Sequence, residues 1–96
     1  MNVCCFHGAL LSHPSLVDLG KGNLRCSFTF KITERGAPSS CLIDVSADGK
    51  LASFAHHLLH GEHVLVTGSI ALEQWESADG KLHKKHCVRA NRIERI

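Results

Sequence analysis

The sequence contains no tyrosine, a single tryptophan, a single methionine and two prolines. With aromatics at 5%, the core must come mainly from Val, Ile, Leu, Ala and Cys, and an aromatic off the core pattern stands out as a candidate contact. No apolar run approaches the roughly 20 residues that cross a bilayer, and Met1-Asn2 lacks the basic start of a secretory signal. A cytoplasmic protein with no membrane partner is expected. The five cysteines are an odd number, with Cys4 and Cys5 adjacent and no C-x-x-C spacing, which argues against a disulfide framework. Cys26 is read instead as a small core hydrophobe. A length of 96 residues leaves little room for a two-domain enzyme with a cleft between its halves, so residues 1–96 are expected to form one domain.

Net charge is also small, at +2, but it is unevenly spread. Residues 81–96 carry six Lys or Arg against Glu94, a net +5, whereas residues 1–80 carry five against eight acids, a net −3. The last sixth of the chain therefore offers a local footprint to an anionic polymer.

Apolar periodicity supplies the architecture. Over residues 23–33, Leu24, Cys26, Phe28, Phe30 and Ile32 alternate with polar residues, the pattern of a half-buried strand. Residues 2–11, apolar on both faces, are read as the strand before it, and residues 41–45 as a third strand after a short loop over 34–40. The period then changes. Leu51, Phe54, Ala55, Leu58 and Leu59 mark an amphipathic helix over 50–60, closed by Gly61. Alternation resumes over 63–75, where Val64, Val66, Gly68, Ile70 and Leu72 form the inward set. A turn at Asp79-Gly80 leads into a final strand over 84–96. The order β-β-β-α-β-β predicts an all-β fold, a five-stranded Greek-key barrel of the OB type with one helix between strands 3 and 4.

From Gly49 onward the sequence resembles the bacterial single-stranded DNA-binding protein family. The resemblance rests on Gly49-Lys-Leu-Ala52, Leu58-Leu59-His60-Gly61-Glu62, Val64-Leu65-Val66-Thr67-Gly68, Trp75-Glu76 and Asp79-Gly80-Lys81, with Asn2-Val3 and Gly8 similar to the family's first strand. It implies sequence-independent binding of single-stranded DNA in replication, recombination or repair, by base stacking over a basic groove. Trp75 matches a stacking aromatic of the family; Leu42 and Asp48 stand where two others are expected. The family's acidic tail is absent from the sequence, so recruitment of partners through such a tail is not expected. In this, and in its missing aromatics, the chain resembles a dimeric primosomal relative. The resemblance also implies a homodimer or homotetramer joined through the first strand.

Strand parity assigns the candidate site. If Val64, Val66 and Ile70 face inward, Trp75 faces out, as do Arg25 and Lys31 on the second strand and Lys85 and Arg89 on the fifth. Lys81 and Lys84 lie near Trp75 on the hairpin, and Arg35 opens the short loop. These eight residues are the expected nucleic-acid contacts, and RNA meets the same chemistry as DNA. Val3, Cys4, Cys5, Phe6 and His7 are the expected oligomer contacts, because a strand apolar on both faces needs a cover.

Eight histidines raise the question of a metal, with His56 and His60 at i, i+4 and His57 and His63 near them in sequence. No H-E-x-x-H motif and no spaced Cys or carboxylate completes a tetrahedral site, so neither metal nor cofactor is expected. Cys87 beside His86 lacks an orienting third group, and no enzyme activity is expected. The alternative function is a protein-interaction module of the same fold that has lost most of its nucleic-acid binding.

Overall fold

The computed structural model describes residues 1–32, 34–36 and 39–96. Thr33, expected to end the second strand, and Ala37 and Pro38 of the expected loop lie outside the described residues. The elements are β1 (Cys4–Leu10), β2 (Ser15–Asp18), β3 (Leu24–Ile32), β4 (Cys41–Asp48), α1 (Lys50–Ala55), β5 (His63–Glu76) and β6 (Leu82–Arg95). Hydrogen-bonded neighbours run β1-β5-β6-β4-β3, and β3 meets β1 again through Ala9↔Lys31 and Leu10↔Phe30. Five strands thus close into a ring. Its pairings are antiparallel except β4 with β6, which are connected in sequence through α1 and β5.

Inside the ring lie Cys26, Phe28 and Phe30 of β3, Val45 and Ala47 of β4, Val64 and Val66 of β5, and Val88 and Ile93 of β6, all buried. These are the alternating positions of each strand, and Phe28 and Phe30 meet edge to face at 6.2 Å. Two glycines let backbones come close. A Cβ on Gly8 would strike the Lys31 carbonyl where β1 crosses β3, and a Cβ on Gly68 would strike the Arg89 carbonyl. Gly68 sits where the β5–β6 register shifts by one residue, a bulge that leaves Asn91 without an opposite number.

The structure departs from the sequence expectations in three places. A sixth strand, β2, pairs with the first half of β3 from Ser15↔Ser27 to Asp18↔Leu24. Its four residues are all exposed, so it has no inward apolar set to announce it. The helix ends at Ala55 instead of reaching His60. Beyond it the hydrogen bonds tighten, with His57 N–H donating to Phe54 O and Leu58 N–H to Ala55 O, both at 3.1 Å. Leu58 still reaches the core while Leu59 is exposed. The segment is held by Glu62, whose carboxylate accepts from Leu59 N–H at 3.0 Å and from Arg95 Nε at 2.6 Å. Leu72, the third departure, is exposed although it shares the parity of Val64 and Ile70. β6 meets β4 only across residues 87–89, so the far end of the β5–β6 hairpin projects past the ring with no core beneath it.

Among the described residues no helix is long and apolar enough to cross a membrane.

Candidate nucleic-acid interface

The ladders place Trp75, Glu73, Ala71 and Ser69 of β5 opposite His83, Lys85, Cys87 and Arg89 of β6. The next strands continue this outer face, with Asp44 beside Cys87, Ser46 beside Arg89, Thr29 beside Asp44, Arg25 beside Asp48 and Lys31 beside Leu42. Parity therefore does put Trp75, Arg25, Lys31, Lys85 and Arg89 on one side of the sheet. Trp75, Arg25, Lys85 and Arg89 share a concavity with Glu73, Gln74 and Leu72. A second concavity joins it through Arg25, Glu73 and Lys85, and runs over Thr29, Asp44 and Ser27 to Ser12 and His13. A groove thus crosses the strands from the loop after β1 to the projecting hairpin.

Trp75 is 46% exposed. Its indole stacks on His83, with ring centroids 5.4 Å apart and planes 16° from parallel, and Lys85 Nζ lies 5.7 Å from the indole centre. An outward indole in a groove with cations beside it is a stacking platform for a planar ligand.

The cations divide into held and free. Arg25 donates to both Asp48 oxygens, at 2.8 and 3.3 Å, which holds the Asp48 carboxyl below the usual carboxylate range. Lys85 is 2.5 Å from Asp44 and 3.8 Å from Glu73. The Lys85 hydrogen bond lowers the Asp44 pKa and raises that of Lys85, and the Thr29 hydroxyl adds a second bond to Asp44 at 3.1 Å. Lys31 and Arg89 have no carboxylate within ion-pair distance among the described residues; Arg89 lines the groove, whereas Lys31 shares its face of the sheet but lines neither concavity.

Three expected contacts stand elsewhere. Lys84 pairs with Gln74 and so points to the opposite face of the ribbon from Trp75. Arg35 is exposed in the turn after β3 and does not line the groove. Lys81 lies in the hairpin loop, where its backbone N–H donates to Asp79 at 3.2 Å. Leu42 is exposed on the groove side, paired with Lys31, and offers an apolar but not a stacking surface.

Of the expected oligomer contacts, Cys4 and Phe6 turn inward and pack against the core, because β1 lines the ring with alternate residues. Val3, Cys5 and His7 face out, the last two beside Thr67 and Leu65 of β5. Among the described residues, the other edge of β1 pairs with β3 at Ala9 and Leu10. Asn2 lengthens the β1–β5 ladder by its side chain, donating to Ile70 O at 2.7 Å and accepting from Ile70 N–H at 2.9 Å.

Sequence reasoning missed His83, Asp44 and Ser77, whose Oγ lies 3.0 Å from His83 Nε2. Counting outward from the Asp79-Gly80 turn would have set His83 opposite Trp75. Nothing local announces that Asp44 meets Lys85, since 41 residues separate them and only the parallel β4–β6 pairing joins them. Cys87 is buried in the groove floor, and burial, then its bond to Glu73, holds the thiol above its ordinary pKa, the state of a packing residue and not of a nucleophile. Among the described residues no three His, Cys, Asp or Glu side chains gather as a metal site would require.

Known proteins share this architecture. A single-stranded DNA-binding protein of Wolinella succinogenes is 32% identical over 57 residues, which cover 58% of this chain and 35% of that protein. The chain therefore spans about a third of that relative's length. The wild-type single-stranded DNA binding protein of Thermus aquaticus superposes with a TM-score of 0.84 at 24% identity, covering 100% of this chain and 40% of that one. The small single-stranded DNA-binding protein of Streptomyces coelicolor gives 0.81 at 20% identity, with 98% and 93% covered. At those identities the two structures establish the fold, which is the OB-fold expected from the order of elements. The model of the Single-strand binding protein family matches residues 1–96, and the chain belongs to that family.

Proposed function

We propose that this protein binds single-stranded DNA without sequence preference and serves replication, recombination or repair in the cytoplasm. It holds bases against Trp75 and phosphates against Lys31 and Arg89. The observation that carries this reading is the half-exposed indole of Trp75 in a groove shared with Arg25, Lys85 and Arg89. Stacking tolerates any base because every base has a π-face, and phosphate contacts read no sequence. The chemistry needs no bond-making group, in keeping with the non-enzymatic family.

Titrating oligothymidine against the fluorescence of the one tryptophan tests it. The indole should be quenched on binding, the dissociation constant should rise with salt by a slope of about 0.7 per phosphate contact, and duplex DNA should bind more weakly. Trp75→Ala should weaken binding by about 1–3 kcal/mol with the melting temperature nearly unchanged, because the side chain is outside the core. A salt-independent dissociation constant, or a melting temperature that falls together with binding, would refute it.

The paired state of Arg25 and Lys85 favours a second reading, an interaction module with little nucleic-acid affinity. No quenching by DNA or RNA at low salt would select it. Under either reading the outward Val3, Cys5 and His7 fit association of two copies through β1, as a dimer or as half of a tetramer.

A further inference from the structure

We propose that His83, held by the loop residues Ser77 and Asp79, is a positioning residue for base stacking. It backs one face of the Trp75 indole, so that a nucleobase adds to the other face as the third ring of a stack. This rests on the nucleic-acid reading of the groove and adds to it a residue and a direction of approach. The two rings are directly opposite across the β5–β6 ladder and nearly parallel, at 16°, with centroids 5.4 Å apart. Lys85 Nζ lies over the ring at 5.7 Å from its centre, and Trp75 still keeps 46% of its surface exposed, so the stack with His83 leaves indole surface open to a ligand.

The imidazole is not free to swing. His83 Nε2 is 3.0 Å from Ser77 Oγ. The hydroxyl has one hydrogen, directed at Asp79 Oδ1 in a short contact, so Ser77 accepts and His83 Nε2–H donates. Asp79 is in turn fixed by Lys81 N–H at 3.2 Å, and Ser77 N–H donates to Lys81 O at 2.9 Å to close the loop. The chain Asp79–Ser77–His83–Trp75 therefore carries the geometry of a tight loop to the indole plane. An indole on a projecting two-stranded ribbon, with no core beneath it, would otherwise sample several rotamers, and fixing it in advance lowers the ordering cost of binding.

The test compares oligothymidine with an abasic oligonucleotide of equal length, which presents phosphates but no bases. His83→Ala should weaken oligothymidine binding about fivefold, leave abasic binding and the salt slope unchanged, and reduce the near-ultraviolet circular dichroism of the single indole. His83→Phe, which keeps a ring without the bond to Ser77, should recover most of the loss. Ser77→Ala should give a smaller loss in the same direction. His83→Ala that binds oligothymidine equally or more tightly would overturn the proposal, the tighter result showing that the imidazole occupies the place of the base. Equal losses for thymidine and abasic strands would overturn it too, by assigning His83 to phosphate. If the unmodified protein binds neither strand, the reading of the groove fails first.

Discussion

At the scale of single residues the groove is governed by carboxylates as much as by cations. Asp44 occupies Lys85 at 2.5 Å, so a phosphate must compete with a carboxylate already in place. Asp44→Asn should free that ammonium, tighten binding of oligothymidine and steepen the salt slope by about 0.7, as one further phosphate contact would. An unchanged slope in a fluorescence titration would show that Lys85 does not reach the strand. The same pair sets a pH dependence. Its hydrogen bond to Lys85 lowers the Asp44 pKa in the fold, below the unfolded value of about 4. The contribution to stability is therefore present at neutral pH and is lost as pH falls through the folded pKa. Thermal melts should show a gap between the parent and Asp44→Asn at pH 7 that narrows below about pH 4. A constant gap would assign the difference to something other than the ion pair.

Among the elements, β3, β5 and β6 were legible in the sequence because one face of each is buried and the period-2 pattern follows directly. Val64, Val66, Val88, Phe28 and Phe30 all lie in the core, and the expected outward side of Trp75, Arg25, Lys31, Lys85 and Arg89 is the observed one. What failed lies where burial stops dictating pattern. The wholly exposed β2 carries no alternation, and Leu72 follows the inward parity onto a ribbon with nothing to face. The helix was overextended because Leu58 satisfies a third helical turn and a tight turn equally well; Glu62 and Arg95, which hold the actual turn, are 33 residues apart. Lys84 was grouped with Trp75 by closeness along the chain, whereas the ladder sends it to the other face. Of the expected cations, Lys31 and Arg89 are the ones proposed to meet phosphate. Reversing both, Lys31→Glu with Arg89→Glu, should weaken binding of single strands at low salt and flatten its salt dependence while leaving the melting temperature close to the parent's, since both side chains are exposed. Binding that survives the double reversal would place the strand off this face.

For the whole molecule, the outer side of β1 is the proposed face through which several grooves would act together. Cys5→Glu with His7→Glu puts charge on outward positions without touching the inward Cys4 and Phe6, so monomers with an intact fold are expected by light scattering. Those monomers should bind long single strands more weakly than the parent, because linked grooves raise effective concentration. A parent that is already monomeric at micromolar concentration would refute the association. The ring itself has uneven seams. Among the described residues, thirteen pairs join β5 to β6, whereas two pairs and the bond from Leu11 N–H to Thr29 O at 2.8 Å join β1 to β3. A closed circle of strands opens first at its narrowest join, which among the described residues is this one, and it is expected to act as a clasp. Amide hydrogens at the β1–β3 join should exchange with solvent through a local opening, well before those at the centre of the β5–β6 hairpin, which wait for global unfolding. If two copies associate along β1 as proposed, the second copy would press the clasp shut. Slower exchange at Lys31 and Leu11 as protein concentration rises would then report assembly from inside each subunit.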